Sequence, residues 1–336
     1  MPKIKQFGPY QIAKVNDSLS QIFAIKIGQN PLQSRLHKIK EGENYQNAVK
    51  EINDSAKKAI ESNSSNIPFN GEKLVFYFKD QVNYQENNNL SKDNEKSQLK
   101  VLDSDYATFR ATIGNPDSQY KHFPTGVIVA VVTLDNKIII GSRDANRDKN
   151  NSTIYPLQMP CGFIDLDKKE NDINKLIVDN AIREVQEELY GDAEFLDCEI
   201  VGLISQTKNW YGKPEKYTDS KKQVNNIKSF IVACYVKQTY EEIKENRNSK
   251  NTKDIHELSQ ISSFDIDIKN LEALDYSNVK FNLDFDGKER NFVAEHSAAL
   301  YLAINNEIEK LQEKDLKNMV DNPSCYKAKE KQLEKI

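Results

Sequence analysis

Residues 124–144 read "PTGVIVAVVTLDNKIIIGSRD", and this stretch decides the fold. Two runs rich in β-branched residues flank Asp135 and Asn136, which favour tight turns, so the segment predicts a β-hairpin. Neither run alternates apolar with polar residues. A strand that is apolar at almost every position is buried on both faces, which predicts a sheet covered on each side.

Working outward, a polar loop leads to "YPLQMPCGFIDL" (155–166), in which "PCGF" reads as a tight turn. A helix is then predicted over about 172–190. Ile173, Ile177, Ala181, Val185 and Leu189 recur every four residues along it, and Gly191 is its expected stop. Strands are predicted at "EIVGLIS" (199–205) and "IKSFIVACYV" (227–236), a loop at "EEIKENRNSKNTKD" (241–254), and a closing amphipathic helix at "AEHSAALYLAINNEIEKL" (294–311). Upstream, "YQNAVKEINDSAKKAIES" (45–62) has Ala48, Val49, Ile52, Ala56 and Ile60 near helical spacing, and "NGEKLVFYF" (70–78) reads as a turn into a strand. Residues 83–99 are nearly devoid of apolar side chains and read as a loop. The expected organisation is an N-terminal region, 1–118, packed on a core domain of 119–312, with a polar tail at 313–336.

A chain of 336 residues with 38% hydrophobic content can bury a sizeable core. Its net charge of −4 supplies no global basic field for extended nucleic acid or an anionic membrane. Nothing resembles a signal peptide or an apolar span of roughly 18 residues, so a soluble, cytoplasmic protein is expected. Cys161, Cys198, Cys234 and Cys325 lack the paired spacing of a zinc site or disulfide scaffold, and reduced thiols are expected.

The chemistry concentrates in "AIREVQEELYG" (181–191). On a helix, Glu184, Glu187 and Glu188 sit at i, i+3 and i+4, so three carboxylates share one face and repel, in a last turn where the helix dipole disfavours anions. Each effect is worth at most about 1 kcal/mol on an exposed helix, so a solvated charged face is one reading. The other is a ligand set: a hard divalent cation would turn the repelling oxygens into a site suited to magnesium.

These residues resemble the Nudix box, which runs Gly, five residues, Glu, seven residues, Arg-Glu-aliphatic-any-Glu-Glu-any-Gly. Gly162 matches the first glycine, and Arg183, Glu184, Val185, Gln186, Glu187 and Glu188 match the core without a gap. The chain departs in three places. Between Gly162 and Arg183 lie 20 residues against 13 in the family pattern, leaving Glu170 as the candidate for the first glutamate. Tyr190 stands where the second glycine belongs, and Cys161 replaces a glycine of the usual entry. The resemblance implies an α/β sandwich with a mixed sheet between helices, and a hydrolase of diphosphates linked to another moiety. It implies that Glu184, Glu187 and Glu188 bind magnesium, with manganese as the alternative ion, and that Arg183 orients a loop carboxylate.

A second similarity runs from about residue 69 to 305, through "FNGEKLVFY", "SDYATFRATIG", the hairpin, the lengthened box loop and "DIHELSQISSFDID". Their order is similar to the Nudix group that includes UDP-glucose and UDP-galactose pyrophosphatase. It implies a UDP-sugar substrate giving UMP and a sugar 1-phosphate, with Glu257 as a further ligand or general base and His256 as a substrate hydrogen-bonding residue. ADP-ribose, a dinucleotide or an RNA cap are the alternative substrates, and a non-catalytic binding module of the same fold is the alternative class. In "SQTKNWYGKPEKYTDSKK" (205–222), the one tryptophan, Trp210, beside Tyr211 reads either as a base-stacking pair or as a hydrophobic anchor. Arg143, at the end of the hairpin, is a candidate for the substrate's phosphates. The expected partner is a small nucleoside diphosphate.

Overall fold

The computed structural model describes residues 4–7, 10–14, 23–27, 38–62, 70–78, 97–112, 125–142, 157–165, 172–206, 228–247, 252, 255–266, 282–285, 288–291 and 294–321. The predicted hairpin forms from β6 (Thr125–Val132) and β7 (Lys137–Ser142), with Val132 opposite Ile138. Its turn places Asn136 in the left-handed region at φ 56°, which asparagine tolerates better than most side chains.

Among the described residues, nine strands make the main sheet. Along its path run β1 (Ile4–Phe7), β2 (Tyr10–Lys14), β10 (Phe195–Gln206), β11 (Lys228–Val236), β6, β7 and β12 (Gln260–Asp265); β8 (Leu157–Gln158) pairs with β7, and β9 (Cys161–Phe163) with β6. The β11–β6 pair is parallel while the others are antiparallel, so the sheet is mixed.

All of β6 is buried, and its alternate residues serve two cores. Val127, Val129 and Val131 pack with Ile173, Ile177, Ala181, Val185 and Leu189, the apolar stripe of α3 (Ile173–Glu184) and the turn that follows it. Ile128, Ala130 and Val132 pack with Ala298, Leu302 and Ile308 of α5 (Ala294–Asp321). The result is an α/β/α sandwich, in which each fully buried Val or Ile contributes about 1.5–3 kcal/mol. The continuous apolar runs are therefore explained by helices on both faces.

A smaller sheet orders β3 (Phe23–Ile27), β5 (Ser97–Asp105) and β4 (Glu72–Phe78). Alongside it, α1 (Glu43–Glu61) packs Ala48 and Ile52 against Ala107 of α2 (Tyr106–Thr112). Tyr106 and Phe109 of α2 meet the ring of Phe163 in β9 at 6.1 and 5.1 Å between centroids, which ties this region to the strand that carries the site. Strands β13 (Asn282–Phe285) and β14 (Lys288–Asn291) form a separate hairpin. No helix among the described residues is long and apolar enough to cross a membrane.

Several local expectations give way. Within the expected loop 241–254, residues 241–246 belong to helix α4 (Tyr240–Asn246): Thr239 caps it in a reciprocal box with Glu242, and Tyr240 and Ile243 are buried one turn apart. Charged residues on its outer face hid that two-residue apolar stripe. In α1 the buried stripe is Ala48, Ile52 and Ala59, whereas Ile60 is 60% exposed. Strand β5 begins at Ser97, inside the expected loop. "PCGF" contributes a strand, β9, because Cys161 to Phe163 pair with Ile128 to Gly126. The glutamate-bearing helix ends at Leu189, one residue before the expected Tyr190, since Tyr190 is already extended.

Candidate active site

The site lies where α3 crosses β9. The helix is capped by Asp172, whose side chain accepts the Asn174 amide, and stays α-helical through Glu184. Val185–Leu189 then forms a π turn, closed by the Tyr190 amide on the Val185 carbonyl at 3.0 Å. Such turns are rare and gather at functional sites. Glu184 therefore ends the α segment, and Glu187 and Glu188 sit on the wider turn.

Glu184 is 6% exposed, and its carboxylate lies over the backbone of Gly162. A β-carbon at position 162 would stand 2.0 Å from Glu184 Oε1, so the glycine makes room for the acid. Glu188 is 3% exposed, and its Oε2 accepts the Cys161 amide at 3.1 Å. Two buried carboxylates thus rest on consecutive residues of β9.

Arg183 answers the repulsion that the spacing raises. Its Nη2 is 2.6 Å from Glu184 Oε1 and 3.5 Å from Asp165 Oδ2, and its Nη1 donates to Glu187 Oε2 at 2.8 Å. Nη2 also donates to the Phe163 carbonyl at 3.3 Å and to Asn180 Oδ1 at 3.1 Å, fixing the guanidinium against β9. Asn180 Oδ1 in turn accepts the Asp165 amide at 2.9 Å. Desolvation pulls the Arg183 pKa down, but the attraction of Glu184, Asp165 and Glu187 outweighs it and raises the value. Burial pushes Glu184 up to about 7 against the pull of Arg183, with Glu187 and Asp165 adding to the rise. A carboxylate with a raised proton affinity in a water-poor place is one that a cation would stabilise.

The donor set fits a hard divalent cation, because all the candidate ligands are carboxylate oxygens and Glu184 is buried with its positive partner shared among three acids. Among the described residues, no three His, Cys, Asp or Glu side chains converge as an assembled cation cage. Arg183 instead draws Glu184 and Glu187 to itself, and Glu188 is engaged by the Cys161 amide.

Glu257 lies on a 3-10 turn, Ile255–Leu258, which packs against the π turn; its carbonyl accepts Gln158 Nε2 at 3.0 Å. His256 belongs to the same turn. The structure therefore brings the Glu257 segment to the helix end that carries Glu187 and Glu188. Arg143, Glu170, Trp210 and Tyr211 lie outside the described residues. Sequence reading missed Asp165, which meets Arg183 from just past β9, and Asn180, which accepts from it one turn earlier on α3. The i, i+3 spacing of Asn180 and Arg183 was the available signal. It also missed Glu295 at the start of α5, a part-buried acid that accepts the Ser229 hydroxyl and is pushed up to about 7 by burial, with the Ser229 hydrogen bond lowering it in part. Ser229 is opposite Gly126, and Gly126 is opposite Phe163, so Glu295 approaches the same end of the sheet from the other face.

No protein-family profile and no curated protein matches the chain. Among solved structures it is similar to a Nudix hydrolase from Nitrosomonas europaea, at 17% identity and a TM-score of 0.26, over 43% of this chain and 73% of that one. It is also similar to a point mutant of the Bacillus subtilis pyrophosphohydrolase BsRppH, at 15% identity and a TM-score of 0.29, over 59% of this chain and 87% of that one. Overlaps this slight carry no weight for chemistry, which rests on the residues and distances above.

Proposed function

We propose that the chain is a divalent-metal-dependent hydrolase of a nucleoside diphosphate linked to another moiety, with a UDP-sugar, cleaved to UMP and a sugar 1-phosphate, as the leading substrate. The observation that carries this reading is the seating of Glu184 in the space left by Gly162, with Arg183 joining it to Glu187. The gapless Arg-Glu-x-x-Glu-Glu segment thereby sets Glu184 and Glu188 against β9. A surface helix has no use for two carboxylates buried below 10% exposure against a strand backbone.

Magnesium held by Glu184, Glu187 and Glu188 would neutralise the diphosphate and acidify an attacking water. Arg183 holds Glu184 and Glu187 in place, and Gly162 lets the Glu184 carboxylate reach the strand. Glu257 is the proposed proton acceptor, supported by the packing of its turn against the π turn. Arg143 and His256 would bind the phosphate or sugar side, and Trp210 with Tyr211 the base.

The test is incubation with magnesium and, separately, UDP-glucose, UDP-galactose, ADP-ribose, a dinucleotide and capped RNA, with products identified by mass. UMP from either UDP-sugar supports the reading. Turnover of the other substrates alone would keep the hydrolase and reject the sugar nucleotide. Ligand binding without any turnover would point to a non-catalytic module.

A further inference from the structure

Cys198 of β10 and Cys234 of β11 stand directly opposite one another in the antiparallel ladder, and their Sγ atoms are 3.0 Å apart. Neither is in a disulfide. Opposed residues of an antiparallel pair have Cα atoms about 4.5 or 5.5 Å apart, and both spacings fall in the roughly 4.4–6.8 Å range that a disulfide spans. The bond can therefore form by side-chain rotation while both strands stay in register.

The surroundings give the two sulfurs different parts. Cys234 has no exposed surface and packs with Val129 and Val131 on the α3 face, whereas Cys198 is half-buried at the edge of that cluster. Cys161 packs with the core on the opposite face of the sheet, so it does not compete for either sulfur. The hydrogen bond with Cys198 and burial both push the Cys234 thiol up. First attack accordingly falls to Cys198.

We propose that Cys198 and Cys234 form a thiol-modification site that closes to an intramolecular disulfide by exchange with a low-molecular-weight disulfide of the glutathione type. Cys198 gives its proton to solvent, and its thiolate attacks one sulfur of the small disulfide. That S–S bond breaks, one small thiolate leaves, and a mixed disulfide remains on Cys198. Cys234 then loses its proton and attacks Cys198 Sγ, expelling the second small thiolate. The two cysteines lose two electrons and the small disulfide gains them, emerging as two thiols.

The link sits away from the candidate active site. Cys234 is beside Val131 of β6 while Gly162 is beside Val127, a separation of four residues or about 13 Å along the strand. Closure would clamp β10 to β11 without entering the acid cluster, so this inference stands whether or not the proposed hydrolase activity does.

The test uses the full chain, folded, in oxidised glutathione at neutral pH, followed by denaturing alkylation and peptide mapping. Two of the four thiols should be lost, a peptide pair joining Cys198 to Cys234 should appear, and dithiothreitol should reverse both changes. The oxidised chain should also unfold at a higher temperature than the reduced one. Cys198→Ser, and Cys198→Ala as a second variant, should abolish the linked pair while far-UV circular dichroism shows the fold intact. Four persistent thiols, a lasting glutathione adduct on Cys198, or a link that uses Cys161 or Cys325 would each overturn the proposal.

Discussion

Gly162→Ala is the sharpest probe of the site. The added β-carbon would stand 2.0 Å from Glu184 Oε1, 2.3 Å from its carboxyl carbon and 2.6 Å from Oε2. Ordinary contact needs about 3.5 Å, so the carboxylate must withdraw by roughly 1.5 Å. The clashing atoms are the end of a flexible side chain, and Glu184 can swing away without moving the helix. The fold should survive, with a loss of stability on the order of 1–3 kcal/mol from strain and a weakened contact with Arg183. The site should not survive. A displacement of about 1 Å at a catalytic group can reduce turnover by roughly 100-fold, and here the displaced group is a proposed metal ligand. Magnesium affinity by calorimetry, UMP release from UDP-glucose and the thermal midpoint, measured on the same preparation, separate the two effects. Gly162→Ala with native magnesium affinity and native turnover would refute the role given to Glu184.

Glu187→Gln removes the charge of one of the three acids around Arg183, and it should abolish turnover while changing stability by no more than about 1 kcal/mol, read by denaturant titration. Thr239→Ala loses the reciprocal cap of α4 and should lower stability by about 1 kcal/mol with no change in turnover. Burial of Glu295 raises its folded pKa to about 7 from an ordinary 4.5. Its neutral form therefore contributes stability that is complete below about pH 4.5 and is lost as pH climbs through 7, on the order of 3 kcal/mol. Glu295→Gln keeps an acceptor for Ser229 and should flatten that part of the stability profile; an unchanged slope between pH 5 and 8 would show that the carboxyl is not held neutral.

The elements that were legible in the sequence are those whose local pattern and tertiary role agree. Residues 125–142 are apolar at nearly every position because helices cover both faces of the sheet, and a four-residue repeat marks α3 because one stripe meets that sheet. Where the tertiary contact is small, the pattern is silent. Helix α4 buries only Tyr240 and Ile243, and β9 is three residues long, held by pairing to β6 and by carboxylates arriving from α3. The acids of the site could be named from spacing, but their partners could not. Gly162 precedes Glu184 by 22 positions, and nothing local says that the one leaves room for the other. Cys198 and Cys234 are likewise brought together by strand register, which the distance between them in the chain does not reveal.

The widening of the helix at Val185 follows from the two contacts that its buried acids make. Glu184 and Glu188 are four residues apart, so an unbroken α-helix would set their Cα atoms about 6 Å apart along the axis. Their carboxylates nevertheless end on Gly162 and on the amide of Cys161, consecutive residues whose Cα atoms are about 3.8 Å apart. A π turn fits an extra residue into the turn and so re-aims Glu188 toward β9, while Val185 and Leu189 remain fully buried in the core. Such a turn has poorer hydrogen-bond geometry than the α-helix it interrupts, and it persists when surrounding contacts determine it. Here those contacts are the core on one side of the turn and the β9 backbone on the other. Counting i, i+3 and i+4 places three acids on a face, but strand β9 decides which of them are buried and what they touch.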